Sequence, residues 1–160
     1  MNLNSLFEKQ KELDEYIVKN KNLEGHNLLK MKTVALICEL YEFANEARFF
    51  KYWSDDTSPR RNTLLEEYVD IIHFAISIAN DLGVHEHKYV TTQPKGPNDL
   101  ILGITNLATI IPTSKSKEHV KSLLNNIITL GYYFGLTEEQ VLEAYEKKNE
   151  INYERQNSNY

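Results

Sequence analysis

The stretch from residue 28 to residue 51, LLKMKTVALICELYEFANEARFFK, decides the fold class of this chain. It contains neither glycine nor proline and is apolar on nearly every side, so it predicts one long, well-buried α-helix. A second stretch of this kind covers residues 60–82 and ends at Gly83, a residue type that often terminates a helix. Two long buried helices predict an all-α protein that folds as a helical bundle.

The rest of the chain carries shorter helical patterns. An amphipathic helix is predicted before Gly25, because apolar residues recur there at steps of three and four. Residues 84–98 predict a loop, with a brief extended segment at residues 87–92. Further helices are predicted at residues 99–111, at residues 117–134 and after the capping-box pattern Thr137-Glu-Glu-Gln140. We expect a single domain that spans residues 1–160.

Composition limits the function classes. The chain has 160 residues, of which 41% are hydrophobic and 26% charged, as in ordinary folded domains. Its formal net charge of -5 argues against the basic surface that nucleic acid requires, so we expect no direct nucleic-acid binding. Cys38 is the only cysteine, which excludes an internal disulfide and favours a reducing compartment. We find no membrane-spanning or secretory segment and expect a cytoplasmic protein.

Carboxylates recur at helical spacing on both long helices. They form two groups, Glu39, Glu42 and Glu46 on the first helix and Glu66, Glu67 and Asp70 on the second. Steps of three and four residues keep the first group on one side of its helix, and the second group lies within just over one turn. Facing carboxylates inside a bundle repel one another, and a divalent cation removes that cost. Mg²⁺ prefers oxygen ligands, so the pattern predicts a magnesium site between the two helices.

The same residues leave two other interpretations open. Asp70 and His73 share a stripe with Ser77 and Asn80, so a face that simply meets water is an equal alternative. In that case His73 is a structural residue. A di-iron bundle is the other metal-binding alternative, but it requires a Glu-x-x-His step on each of two helices. Asp70-x-x-His73 is the only near match, which makes di-iron the weaker interpretation.

Glu39-Leu-Tyr-Glu42, followed by Glu67-Tyr-Val-Asp70, resembles the paired E-x-x-E and E-x-x-D motifs of the all-α nucleotide pyrophosphohydrolases. The stretch FKYWS at residues 50–54 and the tail KKNEINYERQ at residues 147–156 are similar to the dimeric dUTPases, especially those of Gram-positive bacteria and their phages. The resemblance covers residues 1–83 and about 130–160. One departure is Asp14, which stands where the family's Gln-x-x-Leu-Asn element, here beginning at Gln10, has an amide.

This resemblance implies a homodimer that hydrolyses dUTP, and often dUDP as well, releasing pyrophosphate from dUTP to leave dUMP. It implies two or more Mg²⁺ ions, for which the ligands are Glu39, Glu42, Glu67 and Asp70. Glu39 is also the candidate general base. Glu46 is expected beside the ligands or facing solvent.

The resemblance also assigns substrate contacts. Lys148 and Arg155 are expected to hold the β- and γ-phosphates, and Asn152 the edge of the pyrimidine. The remaining candidates are Gln10 near the uracil, Trp53 as a wall of the base pocket and Tyr160 as an aromatic face or a phosphate contact. Residues 148–160 are expected to form a C-terminal tail that closes over the substrate.

Two rival functions stay open at this point. A MazG-like pyrophosphohydrolase of broader specificity would share the metal-binding acids but would lack a uracil-specific pocket. A helical interaction module that binds a regulatory protein would need no catalysis at all.

Overall fold

The computed structural model describes residues 1–91 and 95–158, and six α-helices make up its regular structure. In chain order they are α1 (Leu6–Asn20), α2 (Leu29–Ala47), α3 (Arg61–Asp81), α4 (Pro97–Ser114), α5 (Lys117–Tyr133) and α6 (Glu138–Asn157). No β-strand occurs within the described ranges, so the brief extended segment expected at residues 87–92 forms no strand at residues 87–91. The expectation of an all-α helical fold is confirmed.

Helix α3 is the centre of the bundle. It packs against α1, α2, α5 and α6, whereas α4 packs on α2 and α5. Most of its side chains are buried accordingly, and Tyr68 is fully enclosed with its hydroxyl donating to the carbonyl of Ile127 at 3.0 Å. An aromatic contact between Phe43 and Tyr68 ties α2 to α3 in the same core. Residues that α3 turns toward α2 and α1 are therefore held at fixed positions.

Helix α2 differs from its prediction in two respects. It ends at Ala47 rather than Lys51, because Arg48 adopts a left-handed conformation with φ +60° and donates from Nε and Nη2 to the carbonyl of Asp56. It is also not buried on every side. Met31 and Val34 are 70% and 62% exposed, and Cys38 and Tyr41 continue the same exposed strip. The expectation of an all-round buried helix is wrong for this side of α2.

Helix α6 begins as predicted and continues further. Thr137 and Gln140 form the expected capping box, with each side chain accepting from the backbone N–H of the other residue. The helix runs through Asn157, so residues 148–157 of the expected tail extend α6. Tyr16 anchors this end, because its ring packs on Tyr153 and its hydroxyl donates to Asn157. Among the described residues, no helix has the length and apolar character that crossing a bilayer demands.

Candidate active site

Three carboxylates meet where α2 packs against α3. Glu39 extends from α2, and Glu67 and Asp70 extend from α3 one turn apart. One oxygen of each lies within 4.8 Å of the others, and all three side chains are half-buried. The extensive pairing of α2 with α3 fixes this approach. The two helices therefore bring together three of the four predicted ligands.

The fourth predicted ligand, Glu42, lies at the edge of this group. It is exposed and shares a shallow surface depression with Glu46 and Glu67. Its negative charge nevertheless acts on Glu39, Glu67 and Asp70. The carboxylate of Glu46 accepts from the Thr63 hydroxyl at 3.0 Å, and its charge adds to the rise in the pKa of Glu67.

The cluster is electrostatically strained as it stands. Burial is the largest cause, and the neighbouring charges of Asp70, Glu42 and Glu67 add to it, so that together they raise the pKa of Glu39 from 4.5 to about 7. Burial also raises the pKa of Glu67 and of Asp70. Such a group needs a bound proton or a cation to offset its repulsion. Carboxylate oxygens are the donors that a hard divalent cation prefers, so these residues fit Mg²⁺.

Helix α6 supplies positive charge to the cluster. Lys148 Nζ donates to Asp70 Oδ2 at 2.6 Å, and this charge opposes the rise in the pKa of Asp70. The charge of Arg155, two turns further along α6, acts in the same sense on Asp70. Both cations therefore border the carboxylates. Lys148 forms a direct ion pair with Asp70.

A cavity opens directly beside the carboxylates, between α1, α2, α3 and α6. Its volume is about 420 Å³, within the range of nucleoside-sized ligand sites. Six predicted site residues line it, namely Gln10, Glu39, Asp70, Lys148, Asn152 and Arg155. A more open depression of about 1020 Å³ lies between the N-terminus and α5, but the acidic cluster is not part of it. The geometry thus places an acidic cluster that fits a metal ion, two cationic side chains and a ligand-sized cavity side by side.

A dUTPase family model matches residues 2–160, which is nearly the whole chain. The chain belongs to the dUTPase family. No curated protein matches the sequence at a significant level. The family match includes residues 84–129, which the sequence motifs alone do not cover. The chain is accordingly an enzyme that hydrolyses dUTP, and enzymes of this kind generally depend on a metal ion.

Two predicted substrate contacts of this dUTPase fall outside the cavity or the described residues. Trp53 is 65% exposed in the loop after α2, where its ring contacts Phe50 and Tyr52 rather than the cavity. Tyr160 lies outside the described residues.

Beyond the carboxylates, the cavity floor of the dUTPase is a buried polar network. Gln10 Oε1 lies 2.7 Å from both the Tyr145 hydroxyl and His73 Nδ1, and Gln10 Nε2 donates to Asp14 at 2.8 Å. Asp14 also accepts from the Ser77 hydroxyl at 2.5 Å. His73 and Ser77 are only 4% and 2% exposed, so the alternative of a solvent-facing stripe on α3 is wrong. The stripe instead packs on α1, as the Gln10 and Asp14 contacts show.

The di-iron alternative receives no support from these contacts. Its near match relied on Asp70 and His73, but His73 is not part of the acidic group and its Nδ1 contacts Gln10 instead. Within the described ranges, the acidic group therefore offers a metal ion carboxylate oxygens alone.

Several cavity residues are not apparent from the acidic motifs. They are Asp14, Lys32, Phe74 and Ser77. A signal for two of them exists in the sequence, since Gln10 with Asp14 and His73 with Ser77 are polar pairs four residues apart on apolar helices. Such pairs mark two helix faces that satisfy each other.

Proposed function

We propose that this dUTPase hydrolyses dUTP, and dUDP, to dUMP with Mg²⁺ held by Glu39, Glu42, Glu67 and Asp70. The observation that carries the proposal is the cluster of three carboxylates at the mouth of a nucleoside-sized cavity. Mutually repelling, half-buried oxygens are unfavourable without a cation, and a triphosphate brings further negative charge to the same place.

The metal ions supply a definite part of the chemistry. Bound Mg²⁺ neutralises phosphate oxygens and lowers the pKa of water, which favours attack on the α-phosphorus. Glu39, Glu67 and Asp70 would hold it as the primary ligands, with Glu42 completing the set from the exposed side. The proposal of two or more ions is supported by the number of acids, which exceeds what one Mg²⁺ usually takes from a protein.

We assign the proton of the attacking water to a carboxylate oxygen of Glu39. This residue borders both the acidic group and the cavity, so its carboxylate can face the water and the substrate together. A general base must lie within hydrogen-bond reach of the proton it removes, and Glu39 is the member of the group that best meets this requirement from the α2 side.

Side chains of α6 would hold the two ends of the nucleotide. Lys148 and Arg155 would bind the β- and γ-phosphates, because both border the carboxylates and Arg suits bidentate contact with phosphate oxygens. Asn152 lies between them in sequence and lines the same cavity, and its amide offers a donor and an acceptor to the pyrimidine edge. Gln10 would support the base through the polar network rather than by direct contact.

Residues 148–160 would close over the bound nucleotide. The first part of this segment is the C-terminal end of α6, which carries Lys148, Asn152 and Arg155 along one side of the cavity. Closure would exclude water from the phosphates. Tyr160 would add its aromatic ring from the end of the segment, and Trp53 would approach the base from the loop after α2.

A homodimer is supported by the exposed apolar strip of α2, formed by Met31, Val34, Cys38 and Tyr41. Tyr41 contacts Thr105 of α4 at 3.2 Å, and Leu102, one turn away, is 65% exposed and extends the strip. Apolar patches of this kind on a protein surface usually mark a partner. A Val34→Glu variant should shift the protein from dimer to monomer in sedimentation analysis, whereas Lys19→Glu, at an exposed position on α1 away from the strip, should leave the dimer intact.

The test of the proposed function is a hydrolysis assay with dUTP, dUDP, dCTP, dTTP and UTP, each with Mg²⁺ and with chelator. We expect magnesium-dependent release of pyrophosphate from dUTP in preference to the other triphosphates. Comparable turnover of several triphosphates would favour the broader, MazG-like specificity. Activity that persists undiminished after removal of divalent metal would contradict the proposed mechanism.

A further inference from the structure

One lysine acts as a counter-ion to the whole acidic cluster. Lys148 Nζ lies 2.6 Å from Asp70 Oδ2, and the two side chains are only 23% and 15% exposed. Burial is the main cause that raises the pKa of Glu39, Glu67 and Asp70, and the positive charge of Lys148 opposes the rise in each of them. Three carboxylates thus share one ammonium group.

The charge of Lys148 does not balance the cluster. The pKa values of Glu39, Glu67 and Asp70 stay above their ordinary values although the ammonium acts on all three. Burial lowers the pKa of the neighbouring His73 to about 3, and the charge of Lys148 acts in the same direction, so this ring adds no positive charge. The cluster therefore keeps an excess of negative charge, which attracts a further cation.

A divalent cation and the Lys148 ammonium compete for the same carboxylate. A cation bound by Asp70 would lie close to Lys148 Nζ, and like charges repel strongly in a half-buried site. Asp70 therefore cannot hold both at full strength. Lys148 is the partner that can leave, because its ammonium sits on a flexible four-carbon chain and can turn to another acceptor.

The half of α6 that carries Lys148 has little apolar anchorage. The buried residues of this helix are Val141 and Tyr145, and none of residues 146–157 is buried. The ion pair of Lys148 with Asp70 is therefore a main attachment of this half to α3. Segments with few buried apolar contacts are the ones that open most readily.

The packing of the same half is also incomplete. Asn149 Oδ1 and Gln156 Oε1 are buried, and neither has a hydrogen-bond partner within residues 1–91 and 95–158. Buried polar atoms are nearly always paired, so two unpaired oxygens on one half-helix weaken its attachment. Tyr16 provides a contact near the end, where its ring packs on Tyr153 and its hydroxyl donates to Asn157.

We propose that Lys148 is a displaceable counter-ion: a divalent cation takes its place at Asp70, and the loss of this ion pair releases residues 146–157 of α6. The inference rests on the proposed function and adds the order of events at that site. Lys148 holds α6 against the cluster before the cation arrives and becomes available to the substrate phosphates only afterwards. One side chain thereby couples metal binding to nucleotide binding.

The first experiment follows amide hydrogen exchange along α6 in the wild-type protein. We expect Mg²⁺ alone to speed exchange of residues 149–157 several-fold, because it removes the Lys148–Asp70 attachment. Mg²⁺ with the non-hydrolysable α,β-imido analogue of dUTP should slow the exchange again. The amides of α5, which packs on α3 and α4, serve as the internal control and should not respond. Unchanged or slower exchange of residues 149–157 with Mg²⁺ alone would overturn the inference.

The second experiment measures the Kd of Mn²⁺ in the absence of nucleotide by electron paramagnetic resonance. Lys148→Met should bind Mn²⁺ about ten- to hundredfold more tightly than the wild type, since the ion no longer has to displace an ammonium. Lys147→Met removes the same charge from the exposed neighbouring position and is the matched control, so its Kd should stay close to that of the wild type. Equal or weaker binding by Lys148→Met would contradict the displacement.

The variant also separates displacement from simple repulsion at a distance. In Lys148→Met, residues 149–157 should exchange rapidly without metal, and Mg²⁺ should add nothing further. Tighter Mn²⁺ binding without any such change in exchange would mean that α6 is not released, which overturns the inference. Magnesium-dependent dUTP hydrolysis by the wild type alongside that result would leave the proposed function standing. Failure of the wild type and both variants to bind Mn²⁺ would instead contradict the proposed metal site itself.

Discussion

The two ends of the cavity differ in how their acidic side chains are paired. At one end Glu39, Glu67 and Asp70 crowd their oxygens within 4.8 Å, and their pKa values rise. At the other end Asp14 is surrounded by donors from Gln10, Ser77 and Lys32. Helix α3 contributes to both ends, with Asp70 at the first and Ser77 at the second, and both ends border the same cavity. A satisfied acid maintains structure, whereas a group of unsatisfied acids indicates a place for a cation that the protein does not itself provide.

The largest expected effect comes from removing a charge at the crowded end. Glu67→Gln should reduce the kcat/KM for dUTP by more than about a thousandfold, because the metal ion supplies several kcal/mol of transition-state stabilisation. Glu66→Gln is the matched control, since Glu66 is exposed and lies beside Glu67 on the same helix. Equal activity of the two variants in a magnesium assay would show that the cluster is not the metal site.

The sequence was sufficient to predict the crowded end. Helical spacing predicts acids on facing sides of α2 and α3, and the resemblance to the nucleotide pyrophosphohydrolases selects Glu39, Glu67 and Asp70 among them. Helix α3 itself begins and ends within one residue of its prediction. The satisfied end was not predictable in the same way. Whether His73 meets water or another helix depends on how α1 packs, and periodicity within one helix does not contain that information.

The same distinction applies to the helix ends. The capping box at Thr137 is local and was predicted, because the side chains that satisfy the backbone lie three residues apart. The end of α2 was not predicted correctly, because Arg48 is held in its left-handed conformation by contacts with Asp56 across the following loop. A non-glycine residue with this backbone gives no local signal.

Lys148 connects the two ends, and its loss should have the second largest effect. Lys148→Met should raise the KM for dUTP about ten- to hundredfold, because a charge-assisted contact with phosphate is lost. Lys147→Met is the control, since Lys147 is its exposed neighbour on α6. A change in kcat without any change in KM would instead indicate that Lys148 acts mainly on Asp70, to which it donates at 2.6 Å.

At the satisfied end, removal of the acid should affect stability. Asp14→Ala leaves Ser77 and Gln10 without their acceptor and should lower the free energy of unfolding by about 1–3 kcal/mol. Thermal unfolding of the metal-free protein measures this loss, which corresponds to roughly 2–4 °C in Tm for each kcal/mol. Asp81→Ala, at the exposed end of the network, should have a smaller effect. A Tm for Asp14→Ala at or above that of the wild type would mean that the network does not stabilise the fold.

Neutralising an acid at the crowded end should raise the free energy of unfolding, the opposite of the change expected for Asp14→Ala. This is the smallest of the predicted effects. The pKa of Glu39 is about 7 in the folded protein against 4.5 for an ordinary glutamate, so the folded state binds more protons between these values. The stability that Glu39 contributes is therefore fully present below pH 4.5 and is lost as the pH rises through about 7. Glu39→Gln should raise the free energy of unfolding of the metal-free protein near pH 8, on the order of 1 kcal/mol after solvent screening of this half-buried group.

The difference in the free energy of unfolding between the wild type and Glu39→Gln, followed against pH, separates the contribution of Glu39 from that of His73. The pKa of His73 is about 3 in the folded protein against an ordinary 6.5, so its contribution to stability falls as the pH drops below 6.5, opposite to that of Glu39. Because both proteins contain His73, its contribution cancels in the difference. Mg²⁺ should then stabilise the wild type more than Glu39→Gln, since the cation relieves repulsion that only the wild type retains. A difference that is the same at pH 4.5 and at about pH 8 would show that the carboxylates do not repel one another in the folded enzyme.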